Sequence, residues 1–365
     1  MSLFTLGTMR ALSSAAQMGE VLAAALVAGI NHIETAPAYG PAERFLGQVL
    51  GQLERSDPVG RAGLVITSKI LPGPGLDQAK DQLRASLERL GLARLDNLAV
   101  HGLNLPEHLD WALVGPGSEL LAWALGEGLV GQVGFSSHGS DPLIEAALAS
   151  GRFGFCSLHL HLFDRQRLPL AQAALAAGLG VLAISPADKG GRLYAPSPQL
   201  VADCRPFAPL ELAYRFLLDQ GVSSLTLGAA SVSDFDWARQ LAGADGPLSP
   251  QERVSLDRLL ATGRQRFGAD WCGQCQACLP CPSAVPIPAL LRLRNLAVGH
   301  GLEAFAGERY NLIGRAGHWW EQLDARACQA CGACLPRCPN ALPIPDLLAD
   351  THRRLAAAPQ RRLWG

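Results

Sequence analysis

Residues 64–101 read LVITSKILPGPGLDQAKDQLRASLERLGLARLDNLAVH. Leu64–Ile70 is a short apolar run rich in β-branched residues, the composition of a buried strand. Asp77–Leu90 follows with apolar side chains at a helical period, and Gly91 stands where a helix can close in the left-handed conformation. Asn97–His101 is a second apolar run. Strand, helix and strand in this order form one βαβ unit. The alternation extends both ways. Further strands are expected at Leu3–Met9, Ile30–Thr35, Gln132–Ser136, Phe155–Leu162, Gly180–Ser185 and Ser224–Gly228, with helices at Ala16–Ala28, Glu43–Glu54, Ser118–Glu127, Pro142–Ser150, Leu168–Ala177 and Leu210–Asp219. Eight strands alternating with helices predict an α/β fold, a (β/α)8 TIM barrel. A doubly wound dinucleotide sheet would open on a glycine-rich turn, and Leu6-Gly7-Thr8-Met9 is not one.

The chain has 365 residues, 48% hydrophobic and 17% charged, with 31 Lys and Arg against 32 Asp and Glu. This composition excludes a disordered chain. A net charge of −1 leaves no basic excess to hold a polyanion, so nucleic acid is not an expected partner. No apolar run reaches the roughly 18 residues of a membrane helix. Met1–Arg10 lacks the charged-then-apolar pattern of a secretion signal, which predicts a cytoplasmic protein. Only Lys69, Lys80 and Lys189 are lysines, so arginine serves as the generic surface cation and each lysine invites a local role.

The ten cysteines are unevenly placed. Cys156 and Cys204 are isolated and read as inert buried thiols. The others form two groups, Cys272-x2-Cys275-x2-Cys278-x2-Cys281-Pro282 and Cys328-x2-Cys331-x2-Cys334-x3-Cys338-Pro339. Eight thiolates suit two [4Fe–4S] clusters, and the second group has the bacterial ferredoxin spacing. In that arrangement the last cysteine of each group serves the other cube. Cys272, Cys275, Cys278 and Cys338 would share one cluster, and Cys328, Cys331, Cys334 and Cys281 the other. The first group has two residues rather than three before its last cysteine. Zinc is the competing reading, although it favours Cys-x2-Cys pairs at longer separation. Both groups are followed by similar tails, Val285-Pro286-Ile287-Pro288 and Leu342-Pro343-Ile344-Pro345, which suggests a duplicated unit. The expected division is a barrel over 1–263, ending in a helix capped by Ser249, and a small, mainly helical ferredoxin-like domain over 264–365. The tail arginines Arg353, Arg354, Arg361 and Arg362 read as a solvated helix end.

Chemistry in such a barrel sits at the C-terminal ends of the strands. Those ends collect Glu34 and Tyr39, Lys69, His101, the run Gly134-Phe135-Ser136-Ser137-His138, and His159 with His161. Asn31-His32-Ile33-Glu34-Thr35-Ala36-Pro37-Ala38-Tyr39-Gly40, followed by Ala42-Glu43 and Leu46-Gly47, resembles the Asp-Thr-Ala-x-x-Tyr-Gly signature of the aldo-keto reductases. Thr67-Ser68-Lys69, Val100-His101, Gly134-Phe135-Ser136 and Phe163-Asp164-Arg165 fall in that family's order. The trailing cysteines resemble the branch with a C-terminal ferredoxin-like domain.

The resemblance implies NAD(P)H-dependent reduction of a small carbonyl substrate. It puts the catalytic tetrad on Tyr39, Lys69, His101 and Glu34. Tyr39 would give the proton. A phenol with a pKa of about 10 needs a nearby ammonium to stabilise its phenolate, which Lys69 would supply. Glu34 would fix Lys69, and His101 would donate to the carbonyl oxygen. The cofactor contacts implied are Ser136, His159, His161, Ser185 with Pro186, the Lys189–Leu193 loop, and Gly228 with Ser231. The family has Asp where Glu34 stands, and a Gln-Tyr-Asn stretch where His159-Leu160-His161 stands. No Lys or Arg follows Ser231 before Arg239, so NADH suits this chain as well as NADPH. A metal centre built on His101, His138, His159 and His161 is a lesser alternative. A hydride carries two electrons and a cluster one, so the clusters point to a separate redox partner protein or a structural role. The alternative function is an iron–sulfur electron-transfer or scaffold protein on a degenerate barrel.

Overall fold

The computed structural model describes residues 1–187, 189 and 192–358; Gly190, Gly191, Arg361 and Arg362 lie outside them. Eight strands are present: β1 (Phe4–Gly7), β2 (His32–Glu34), β3 (Val65–Ile70), β4 (Leu95–Val100), β5 (Val130–Ser137), β6 (Phe155–His159), β7 (Gly180–Ile184) and β8 (Ser224–Gly228). They pair in parallel in chain order, and β8 closes on β1. Large apolar side chains such as Phe4, Leu6, Ile33, Ile66 and Phe135 are almost fully buried, and the two-residue repeat turns them towards the surrounding helices. Helices stand between the strands where the period placed them. Pro58–Ala62, Pro106–Leu113 and Pro198–Cys204 are additional. Each begins on proline and spans too few turns for a periodic signal.

A polar belt crosses the barrel interior. Thr5 Oγ1 lies 2.7 Å from both His32 Nδ1 and Ser224 Oγ, and His32 Nε2 lies 2.7 Å from Thr67 Oγ1. Asn97 Nδ2 donates to Thr67 Oγ1 at 3.0 Å. A strand repeats its facing every second residue. Glu34 and Lys69 therefore sit one layer above His32 and Thr67, towards the C-terminal mouth. The belt satisfies both nitrogens of a buried imidazole and floors the layer that carries the charges.

Contacts divide the chain into two compact units. The first comprises Met1–Leu160, Arg167–Pro186 and Tyr214–Pro247, which includes every strand. The second takes the chain from Leu248 onward together with His161–Gln166 and Ala187–Ala213. This division falls earlier than residue 263. The reason lies in the helix Pro250–Phe267, which Ser249 caps with Glu252 in a reciprocal capping box. Its Gly263 packs flat on His300 of the helix Ile287–His300, where a Cβ would stand 2.6 Å from the ring. The second unit has no strand among its described residues and is built mainly from the helices Pro198–Cys204, Pro250–Phe267, Ile287–His300, Glu303–Tyr310 and Ile344–Leu355. Arg292 lies 3.3 Å from Asp164, and Arg294 2.7 Å from Asp350, so buried guanidiniums tie its segments together. Among the described residues, no helix is long and apolar enough to cross a membrane.

Burial pushes the His32 imidazole down to about 4, with the Lys69 charge acting in the same direction and Glu34 against it. The unfolded chain takes up this proton near pH 6.5 and the folded chain only near pH 4. Stability from this group is therefore complete above about pH 6.5 and is lost as the pH falls to 4, on the order of 2–3 kcal/mol in all. We expect His32→Gln to lower stability at neutral pH and to flatten the fall between pH 6.5 and 4, measured by urea denaturation at several pH values. An unchanged slope would contradict this.

Candidate active site and cysteine-lined cavities

Lys69 leaves the penultimate position of β3 and is almost fully buried. Its Nζ lies 2.6 Å from Glu34 Oε1, donates to Tyr39 Oη at 2.8 Å, and reaches the Thr35 carbonyl at 3.3 Å. Burial alone would push this amine down. The opposing charge of Glu34, then the contact with Tyr39, outweighs it, and the amine is held above the usual lysine range. Tyr39 sits in the turn Pro37–Tyr39 directly after β2. Its ring meets the His101 ring edge to face, with centroids 5.6 Å apart. His101 lies one residue past the end of β4, and its amide donates to the Ile70 carbonyl at 2.7 Å. The four residues expected from the strand ends are thus brought together by β2, β3 and β4. The longer side chain of Glu34 spans to Lys69 without loss of contact.

A second carboxylate, whose burial the sequence did not disclose, braces this group. Glu43, in the first turn of the helix Ala42–Ser56, is 1% exposed. Its Oε1 accepts from Ser68 Oγ at 2.6 Å, and its Oε2 accepts from Arg89 Nε at 2.8 Å and Nη2 at 2.7 Å. Ser68 adjoins Lys69, and Glu43 follows Tyr39 by one turn, so the bonds fix the spacing of the two. The Ala42–Ser56 helix crosses the helix Leu76–Leu90 at Gly47, where any Cβ would collide with the Arg89 carbonyl. The one local signal was the Ala42-Glu43 and Leu46-Gly47 pattern.

Of the remaining first-unit residues, Ser136 Oγ accepts from the Gly102 amide at 3.0 Å. His159 and His138 approach to 2.9 Å between their Nε2 atoms, so one imidazole donates to the other. Ser185 closes β7 in a left-handed backbone, φ 51°. Gly228 ends β8, and Ser231 caps the short helix Val232–Phe235. His161 and Lys189 belong to the second unit. There His161 exchanges backbone bonds with Asp164, and the Lys189 ammonium lies 5.0 Å from the centre of the Trp320 ring.

The cysteines line two cavities in the second unit. Cys272, Cys275, Cys278 and Cys338 surround one, and Cys281, Cys328, Cys331 and Cys334 the other. Both are tight, with cavity volumes of about 20 Å³ and 10 Å³. Ile287 lines both and is the wall between them. Burial pushes the Cys278 thiol up to about 11, and the neighbouring Cys272 and Cys275 act the same way. Cys275 and Cys331 are the exposed member of each set. Among the described residues, no three His, Cys, Asp or Glu side chains are grouped so as to share one metal ion.

A family model, the aldo/keto reductase family, matches residues 3–198. An aldo-keto reductase of Mycolicibacterium vanbaalenii is 28% identical over 251 residues, 64% of this chain and 84% of that protein. A 6-dehydroglucose reductase of Novosphingobium aromaticivorans is 30% identical over 208 residues, 52% of this chain and 64% of that protein. Among solved structures, an aldo-keto reductase of Bacillus halodurans in holo form superposes with a TM-score of 0.59 at 20% identity, covering 70% of this chain and 91% of that one. A Bombyx mori aldo-keto reductase in complex with NADP gives 0.55 at 22% identity, covering 70% and 88%. The chain belongs to the aldo/keto reductase family and is an oxidoreductase.

Removing the Glu43 carboxylate leaves Arg89 and Ser68 without their shared acceptor. We expect Glu43→Ala to lower stability by about 2–3 kcal/mol and Glu43→Gln by less, read from chemical denaturation. A loss within about 0.5 kcal/mol, the range of an ordinary surface change, would show that the brace carries little.

Proposed function

We propose that this oxidoreductase reduces a small carbonyl compound with a nicotinamide dinucleotide, and that its second unit carries two [4Fe–4S] clusters. The observation that carries the first part is Lys69 Nζ within bonding distance of both Glu34 and Tyr39 in a buried setting. A bound nicotinamide would supply the hydride. Tyr39 holds the proton that the carbonyl oxygen takes as negative charge develops there. The Lys69 ammonium stabilises the phenolate left on Tyr39. Glu34 keeps that ammonium charged and in place. His101, against the Tyr39 ring, is positioned to donate to the same oxygen. Ser136, His159, Ser185, Gly228 and Ser231 are the proposed cofactor contacts within the first unit.

The second part is supported by the sorting of eight thiols into two like cavities, four in each. The sorting joins Cys338 to the first group and Cys281 to the second, as the ferredoxin arrangement would have it. Such clusters would supply one-electron transfer, with a separate redox protein as partner. The scaffold reading gains support only from His159 and His161. The Glu34 substitution does not favour it, because the carboxylate keeps its pair with Lys69.

The test is a Tyr39→Phe variant, purified without oxygen beside the wild type. Wild type is expected to oxidise nicotinamide with some member of an aldehyde and ketone panel. The variant should lose about 10²–10⁴-fold in kcat while its nucleotide affinity is retained. Both proteins should be brown, with about eight irons per chain. Full activity in the variant would contradict the catalytic reading, and zinc in place of iron the cluster reading.

A further inference from the structure

The two cysteine groups repeat one motif and differ in length by a single residue. Aligned from their third cysteines, Cys278-Leu279-Pro280-Cys281-Pro282 stands against Cys334-Leu335-Pro336-Arg337-Cys338-Pro339. The residue that only one copy has is Arg337. It closes the short turn Leu335–Arg337 and is half-buried. Its Nη2 donates to the Pro280 carbonyl at 3.0 Å, at the point where the first copy is one residue shorter. Its Nε donates to the Ala333 carbonyl at 3.1 Å, within its own copy. One rigid guanidinium fork therefore ties the two copies together.

The place it ties is where each copy passes from one cavity to the other. Cys278 lines the first cavity and Cys281 the second; Cys334 lines the second and Cys338 the first. Arg337 stands on one of these crossings and bonds the other. Both of its partners are carbonyls, and no carboxylate among the described residues lies within ion-pair distance of it. The buried guanidiniums of Arg292 and Arg294 in the same unit are paired, with Asp164 and Asp350. The charge of Arg337 is not matched in this way. The anions that its place in the chain brings to it are the thiolates of filled cavities, Cys338 beside it and Cys334 three residues before.

Resting on the cluster reading above, we propose that Arg337 raises the reduction potential of the clusters. Four thiolates outweigh the charge of a cube, so a filled site is anionic. It becomes more so when it takes one electron from an outside one-electron donor, with no bond made or broken. A fixed cation at the crossings favours the reduced form.

The test is an anaerobic potentiometric titration of the full-length, cluster-loaded protein with a titanium(III) reductant, followed by visible absorbance and electron paramagnetic resonance. Arg337→Gln keeps a donor for one carbonyl and removes the charge. It should move the one-electron equilibrium of at least one cluster roughly tenfold towards the oxidised form, a fall of about 59 mV. Arg337→Lys keeps the charge and loses the fork, and should stay within about threefold of the wild type. Wild-type potentials in Arg337→Gln, or an equal fall in both variants, would overturn the proposal. If Arg337→Gln holds no iron, the lysine variant decides: wild-type potentials support the proposal, and a tenfold fall overturns it. Wild-type protein that takes up zinc, or no metal, would instead overturn the cluster reading, and the role of Arg337 with it.

Discussion

A lysine ammonium buried to 3% exposure is costly unless something compensates its charge. Here the compensation comes from two neighbouring chain segments at once. Glu34 ends β2, and Tyr39 ends the turn that follows it. The parallel register sets Glu34 opposite Thr67, two residues before Lys69 on β3. The ion pair therefore follows from strand order and the two-residue repeat. It places a charged amine against a phenol at the mouth of the barrel, and the chemistry proposed for this enzyme depends on that contact. The belt of Thr5, His32, Thr67 and Ser224 beneath, and Glu43 behind, keep the contact from relaxing.

The second unit solves a different problem with similar economy. Eight thiols line two cavities, and Ile287 lines both. Ile287 opens the helix Ile287–His300 from the first Pro-Ile-Pro tail. Ile344 opens the helix Ile344–Leu355 from the second tail and lines the first cavity, while Pro345 and Leu348 of that helix line the other. The repeated tails are thus the starts of two helices that wall the cavities. Proline at the first helical turn costs no hydrogen bond and fixes the direction in which each helix departs.

Much of this was legible in the sequence. The strands declared themselves because parallel strands, covered on both faces, read as apolar runs. Glu34, Tyr39, Lys69 and His101 fell at strand ends, where a barrel concentrates its chemistry. The cysteine spacing announced its own grouping. What stayed hidden depends on partners far along the chain. Glu43 looked like an ordinary first-turn acid until Ser68, Ser86 and Arg89 enclosed it. Asp234 looked like one of several loop carboxylates until its oxygen met two amides. Lys189 could not be seen to meet Trp320, because no periodicity links them. The helices Pro58–Ala62, Pro106–Leu113 and Pro198–Cys204 were missed because about two turns or fewer give little period to read.

The most direct test of the central contact is a double-mutant cycle between Glu34 and Lys69. Stability is measured by denaturation for the wild type, Glu34→Gln, Lys69→Met and the pair. Each single change leaves one buried charge without its opposite and should cost about 3–5 kcal/mol. The double variant should lose clearly less than the sum, with a coupling of at least about 1 kcal/mol. Additive losses would mean that the two charges do not depend on one another, and the account of the site would fail with them.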